Sequence, residues 1–181
     1  MNKKDFSKAC LSQSLIELLR DNEYEDISIQ DVVDKAGFSR NTYYRNFKNM
    51  DEVLDYYLDS FVDKFISDSK LNDFATGSDE YFDLLANHFS DKHTIELYVM
   101  LLQRGLVDHI AQQFIKRFFN RILPNQDDVF YYFIIGGMFV IFMERLRNHI
   151  PMDKEELIKK IKHTIRQITA NYQKYPDEEE Q

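Results

Sequence analysis

Turn-forming residues are scarce in this chain: 5 glycines and 3 prolines serve all 181 positions. A sandwich or barrel of strands must reverse direction roughly every 8–12 residues, and it needs a turn residue at nearly every reversal. Long helices need few reversals, so the sequence predicts an all-α fold. Hydrophobic residues at 44 % and charged residues at 30 % supply both a core and a wet surface, unlike a disordered chain. The single cysteine, Cys10, excludes an internal disulfide framework and a multi-cysteine metal site, and it reads as a small core residue. Met1 to Asp5 is charged, so no signal peptide is expected. The longest apolar run, Val129 to Met143, is 15 residues. A spanning helix needs roughly 20. No membrane partner is expected, and the expected location is the cytoplasm.

Hydrophobic periodicity gives about nine helices and no strand. The first runs from Lys4 to Arg20 with Leu11, Leu15, Leu18 and Leu19 on one stripe. Asp21 to Asp26 reads as a loop. Ser28 then caps a short helix, with Asp31 completing a capping-box pattern, Val32, Val33 and Ala36 facing inward, and Gly37 ending it. Ser39 opens a third helix to Phe47, and Asn49 opens a long fourth one carrying Val53, Leu54, Tyr57, Leu58, Phe61 and Phe65. Ser69 to Ser78 is a connector. Further helices are expected at 79–89, 92–102, 105–122 and 125–148. A final one starts near Asp153 with Leu157, Ile161, Ile165, Ile168 and Tyr172 on one stripe. The expected domains are residues 1–48, residues 49–175 and an acidic, disordered tail at 176–181.

A net charge of −8 at first argues against a polyanionic partner, but the charge is uneven. Residues 1–50 hold 8 basic and 8 acidic side chains, so the whole excess lies beyond them. Within that neutral segment, Ser39 to Asn49 carries Arg40, Arg45 and Lys48 and no acid. The two short helices flanking Gly37 are joined too tightly to pack antiparallel, so they must cross steeply. That is helix-turn-helix geometry, whose second helix offers side chains to a major groove. Arg40 and Asn41 can hydrogen-bond base edges, while Ser39, Thr42, Tyr44 and Lys48 can hold phosphates; Ser28 and Arg45 complete the candidate DNA-facing set. Tyr43 and Phe47, four apart, should face inward. A solvated helix face can also carry Ser, Arg and Tyr, so the pattern alone leaves both readings open.

Ser28, Val32-Val33, Ala36-Gly37, Ser39, Thr42, Tyr44, Phe47 and Leu54 stand in an order and spacing that resemble the DNA-binding domain of the tetracycline-repressor (TetR) family of bacterial transcription regulators. The resemblance covers residues 4–67; beyond them only helix count and hydrophobic layout agree. It implies an N-terminal three-helix DNA-binding domain followed by a larger helical ligand-binding and dimerisation domain. The implied function is a ligand-responsive homodimeric repressor on a palindromic double-stranded operator. Two positions depart from the family pattern. Asn41 stands where the family has Gly, and Met50 where it has Lys at the start of the fourth helix. Loss of one phosphate contact lowers the salt slope of binding by about 0.9, and Lys48 can partly compensate.

The apolar run reads as a helix buried on every side, one face against its own domain and the other against a second copy. Phe130, Ile134, Gly137, Met138 and Ile141, with Leu157, Ile161, Ile165 and Ile168, are the expected dimer interface. Gly136-Gly137 would let another helix approach closely. The resemblance further implies a cavity for a small, apolar or aromatic effector. Phe61, Phe65, Phe82, Phe89, Tyr98, Gln103 and Phe114 are candidate lining residues, and His88, Arg104 and His109 candidate polar contacts. No enzyme is expected: no triad, nucleophile elbow or Gly-rich phosphate loop occurs. The five histidines lack ligand spacing, so neither metal nor cofactor is expected. The alternative is a helical interaction protein, a partner-switched activator or adaptor on the same scaffold with weak or no DNA binding.

Overall fold

The computed structural model describes residues 3–74, 78–106, 129–148, 150 and 153–172. Among the described residues lie eight α-helices and no strand: α1 (Lys3–Leu18), α2 (Ile29–Ala36), α3 (Arg40–Asn46), α4 (Met50–Ser69), α5 (Asp79–Ser90), α6 (Lys92–Gln103), α7 (Val129–Arg147) and α8 (Lys154–Tyr172). The helix expected at 105–122 and the tail at 176–181 lie outside the described residues. The chain divides into two compact units, Met1–Asp68 with Tyr98–Arg121 and Ser69–Leu97 with Ile122–Gln181.

In the first unit α1 packs on α2 and α3, and α2 on α3. Leu11, Leu15 and Leu19 are fully buried, as the helical stripe requires. The helix ends at Leu18, two residues before the expected Arg20, because the Asn22 amide donates to the Leu18 carbonyl at 2.8 Å and closes the turn. The expected loop holds a 3-10 turn, Tyr24–Asp26, whose Tyr24 hydroxyl donates to Asp51 at the start of α4 (2.6 Å). Burial, then the Asp51 carboxylate, pushes the Tyr24 phenol well above its ordinary value. Asn49 caps α4 by accepting from the Glu52 N–H (2.9 Å), and Glu52 accepts in return from the Lys48 N–H (2.8 Å). Lys70, at φ 52°, turns the chain after α4, and the connector that follows is anchored by a 3-10 turn with Leu71 fully buried.

Gly105, at φ 67°, terminates α6 and places Arg104 beside the end of α1. The Arg104 guanidinium donates to the carbonyls of Leu19 (2.9 Å) and Arg20 (3.0 Å) and to the Glu23 carboxylate. A planar fork that satisfies three acceptors cannot be reproduced by an ammonium. Arg104 is therefore a brace on α1 and not a free polar group for an effector. Cys10 is half-buried.

In the second unit α5 packs on α8, with ion pairs Asp83–Lys162 (2.7 Å) and Asp79–Arg166 (2.6 Å) between them. Ser78 caps α5. The Phe89 ring lies 4.9 Å from Phe142 and 6.4 Å from Phe139 of α7. The apolar run is not buried on every side within the chain. Met138, Phe139, Phe142, Met143 and Leu146 form its inner face, whereas Phe133 is 67 % and Val140 56 % exposed. Periodicity could not show this, since both faces are equally apolar.

Burial lowers the pKa of His88 from 6.5 to about 4, against a small opposing effect of Asp91. The folded state thus prefers the neutral imidazole. Its stabilisation is complete above pH 6.5 and lost as pH falls towards 4, by about 1.4 kcal/mol per unit and about 3 kcal/mol in all. Urea midpoints between pH 7 and 4 should therefore fall more steeply for the wild type than for His88→Gln. Parallel curves would refute the assignment. Arg104→Ala should cost about 1.5–3 kcal/mol in the same assay. Arg104→Lys should recover little of it.

Candidate nucleic-acid interface

The candidate interface begins with the cap of α2. The Ser28 Oγ accepts from the Asp31 N–H (3.2 Å) and donates to the Asp31 carboxylate (2.6 Å), which also accepts from the Ser28 N–H (2.8 Å). These bonds hold the Asp31 carboxyl below its ordinary value. They also occupy the Ser28 hydroxyl proton, so Ser28 sets the start of α2 and has no proton to give a phosphate. At the other end Gly37 adopts φ 70°. Its N–H bonds the Asp34 carbonyl (3.2 Å) and the Phe38 N–H bonds the Val33 carbonyl (2.9 Å), a closure that reverses the chain in two residues. An L side chain is strained in that conformation.

Ser39 then caps α3, accepting from the Thr42 N–H at 3.3 Å. Its hydroxyl also meets that of Thr42 (3.2 Å), which leaves the pair one hydroxyl proton for an outside acceptor. The two faces of α3 differ sharply. Tyr43 is fully buried and Phe47 nearly so, with ring centroids 6.1 Å apart. Burial pushes the Tyr43 phenol up to about 12, so it stays neutral at physiological pH. Arg40, Asn41, Tyr44, Arg45 and Lys48 are all exposed, Tyr44 by 59 %; Thr42 is half-buried. The structure thus brings the DNA-facing candidates Ser39, Arg40, Asn41, Tyr44, Arg45 and Lys48 to the wet side, with Thr42 half-buried, and puts Tyr43 and Phe47 inside as the spacing predicts.

Three contacts fix α3 in place. Asn46 donates to the Thr42 carbonyl (2.8 Å) and to the Ser7 hydroxyl of α1 (3.0 Å). The Lys8 ammonium lies 5.4 Å from the Phe47 ring centroid and 5.2 Å from that of Tyr56, tying α1, α3 and α4 together. The Arg40 Nε donates to the Gln30 side-chain oxygen of α2 (2.6 Å). Lys8, Gln30 and Asn46 had no signal in the linear pattern. Their partners lie 10 to 48 residues away on other helices, which periodicity does not report. The Lys48 ammonium stands 3.8 Å from Glu52 but is 89 % exposed, so the pairing is weak and the charge remains available. Lys35, by contrast, points to Glu17 of α1 (3.4 Å). Met50, at the position of the family's Lys, is half-buried at the start of α4.

The candidate effector residues fall in both units. Phe61 and Phe65 are half-buried, Tyr98 is buried and Gln103 exposed in the first unit. Phe82 and Phe89 are buried in the second, and Phe114 and His109 lie outside the described residues. An open groove of about 490 Å³ along α8 is lined by Glu155, Ile158, Lys159, Lys162, His163 and Arg166. Of the expected dimer residues, Gly137 and Ile141 are exposed, Leu157, Ile161 and Ile168 half-buried, and Met138 buried inside the chain. The side chains of Phe130, Ile134 and Ile165 lie outside the description. Among the described residues no cluster of metal-binding side chains occurs, and no helix is long and apolar enough to cross a membrane.

A short capped helix with a buried aromatic face and a wet cationic one, set across a preceding helix by a left-handed glycine, defines a helix-turn-helix protein. The family model for bacterial regulatory proteins of the tetR family matches residues 14–57 of this chain. Over 69 residues it is 26 % identical to the HTH-type dhaKLM operon transcriptional activator DhaS of Lactococcus lactis. That similarity covers 38 % of this chain and 37 % of the relative, so it spans little more than a third of either. The fold matches a TetR-family transcriptional regulator from Syntrophomonas wolfei with a TM-score of 0.62 at 16 % identity, over 93 % of this chain and 97 % of that one.

Gly37→Ala should lower stability by about 1–2 kcal/mol through left-handed strain alone, since open space surrounds the added Cβ. Gly37→Asn should cost less. Urea unfolding of both variants checks this, and equal losses would place the penalty outside the backbone conformation.

Proposed function

We propose that this chain is a DNA-binding transcription regulator that acts as a homodimer, with α3 reading the major groove of a palindromic operator. The observation that carries the reading is the two-sidedness of α3: Tyr43 and Phe47 lock it to the body while Arg40, Asn41, Tyr44, Arg45 and Lys48 stay exposed. Residues 1–48 supply the reading surface in this proposal. Residues 49–175 supply dimerisation and the site for a small apolar or aromatic effector, in a protein that works in the cytoplasm. Phe133, Val140 and Ile141 of α7 leave an exposed apolar stripe, and nothing stands within 4 Å of a Cβ built on Gly136 or Gly137. A second copy would cover that stripe, because two-fold readers place paired recognition helices about one helical turn of DNA apart. The sign of regulation follows from where the operator lies relative to a promoter. Repression is the family expectation, while the relative from Lactococcus lactis is an activator.

The test uses the full chain, a randomised duplex pool and mobility shifts at several salt concentrations. A palindromic site should be selected with a steep salt dependence. Lys48→Ala should weaken all duplexes alike and reduce the slope by about 0.9, whereas Arg40→Ala or Asn41→Ala should relax preference at particular base pairs. In sedimentation, Phe133→Glu should shift the protein from dimer to monomer. A folded dimer with no selected site, or a stable complex with another protein and no DNA affinity, would overturn the proposal in favour of the partner-switched alternative.

A further inference from the structure

Arg40 does not stand alone at the start of α3. Its Nε donates to Gln30 Oε1 of α2 at 2.6 Å, and the Gln30 Nε2 donates to Asp34 Oδ1 one turn further along α2, also at 2.6 Å. The two bonds define the amide completely. Its oxygen must face the guanidinium and its nitrogen the carboxylate, since the flipped amide would set donor against donor and acceptor against acceptor. Gln30 is half-buried and Arg40 exposed. A guanidinium held at Nε has its plane fixed, and its two terminal nitrogens make no other hydrogen bond among the described residues. That edge is the one that offers two parallel donors to the O6 and N7 of a guanine.

We propose that Gln30 is a specificity-determining positioning residue: oriented by Asp34, it holds Arg40 in one pose, so that Gln30 and Arg40 read a single base pair as a unit. The proposal rests on the DNA-binding reading above. A free arginine must lose rotamer freedom when it docks on a base, and a held one has already lost it. The Asp34 carboxylate reaches the guanidinium only through the amide, so it orients Arg40 without a direct ion pair that would compete with DNA.

The experiment measures affinity for the selected duplex and for each single base-pair replacement of it. The proteins are wild type, Gln30→Ala, Gln30→Glu, Arg40→Ala and the Gln30→Ala/Arg40→Ala double variant, all as full chains. Arg40→Ala should lose roughly five- to 150-fold discrimination at one base pair. Gln30→Ala should lose about three- to tenfold at that same base pair, with an unchanged salt slope, and the double variant should be no worse than Arg40→Ala. Gln30→Glu loses the bond to Asp34 but holds the Arg40 Nε by its own charge, so it should retain discrimination while weakening all duplexes. Unchanged or improved discrimination in Gln30→Ala would overturn the proposal. A further loss at another base pair in the double variant would do so too, by showing that Gln30 touches a base itself. Should Gln30→Ala fail to fold, loss of discrimination in Gln30→Glu would overturn it instead. A wild-type protein without sequence preference is a different failure and falls on the DNA-binding reading.

Discussion

The burial of Tyr43 and Phe47 under α3 is the interaction on which the rest of the candidate interface depends. Helix α3 has seven residues. Isolated helices shorter than about 12–15 residues are marginal in water. Two buried aromatic side chains contribute about 3–6 kcal/mol, enough to hold what local propensity cannot. The cap at Ser39 and the turn at Gly37 fix where the helix starts and in which direction it leaves α2, but they do not hold it against the body. Once the aromatic pair is inside, the helical period forces Arg40, Asn41, Tyr44 and Arg45 outward. The wet cationic face is therefore a geometric consequence of the dry one.

Much of this was legible in the linear pattern, and for identifiable reasons. Capping and glycine termination are local chemistry, so Ser28, Gly37, Ser39 and Asn49 marked the helix boundaries of the first unit closely. Amphipathic spacing was equally informative for Leu11, Leu15 and Leu19 and for the Tyr43–Phe47 pair. Periodicity lost its power where a segment is apolar on every face. In α7 it could not separate Met138 and Phe142, which are buried, from Phe133 and Val140, which are not.

Side-chain partnerships across helices were not legible at all. Ser28 belonged to the candidate DNA-facing set, yet its hydroxyl closes the cap of its own helix. Arg104 looked like a polar group for an effector, yet it braces the carbonyls at the end of α1 from 84 and 85 residues away. The partner of Ser28 is the local Asp31 that the capping-box pattern already names, whereas for Arg104 the residue type marks a hydrogen-bonding group and tertiary geometry sets its partner. The same holds for Lys8, whose ammonium would pass for a solvated surface charge but lies against the rings of Phe47 and Tyr56.

The brace from Arg104 and the ring of Tyr56 carry a consequence for modularity. Neither belongs to residues 1–48, yet both contact helices of that segment. A reading head excised after Lys48 and transplanted onto another scaffold would expose the last carbonyls of α1 and leave Lys8 with one aromatic neighbour in place of two. The three-helix head is thus a portable motif in sequence but not a self-sufficient one in three dimensions, and chimeras that preserve its recognition surface would have to carry α4 and the end of α6 along with it.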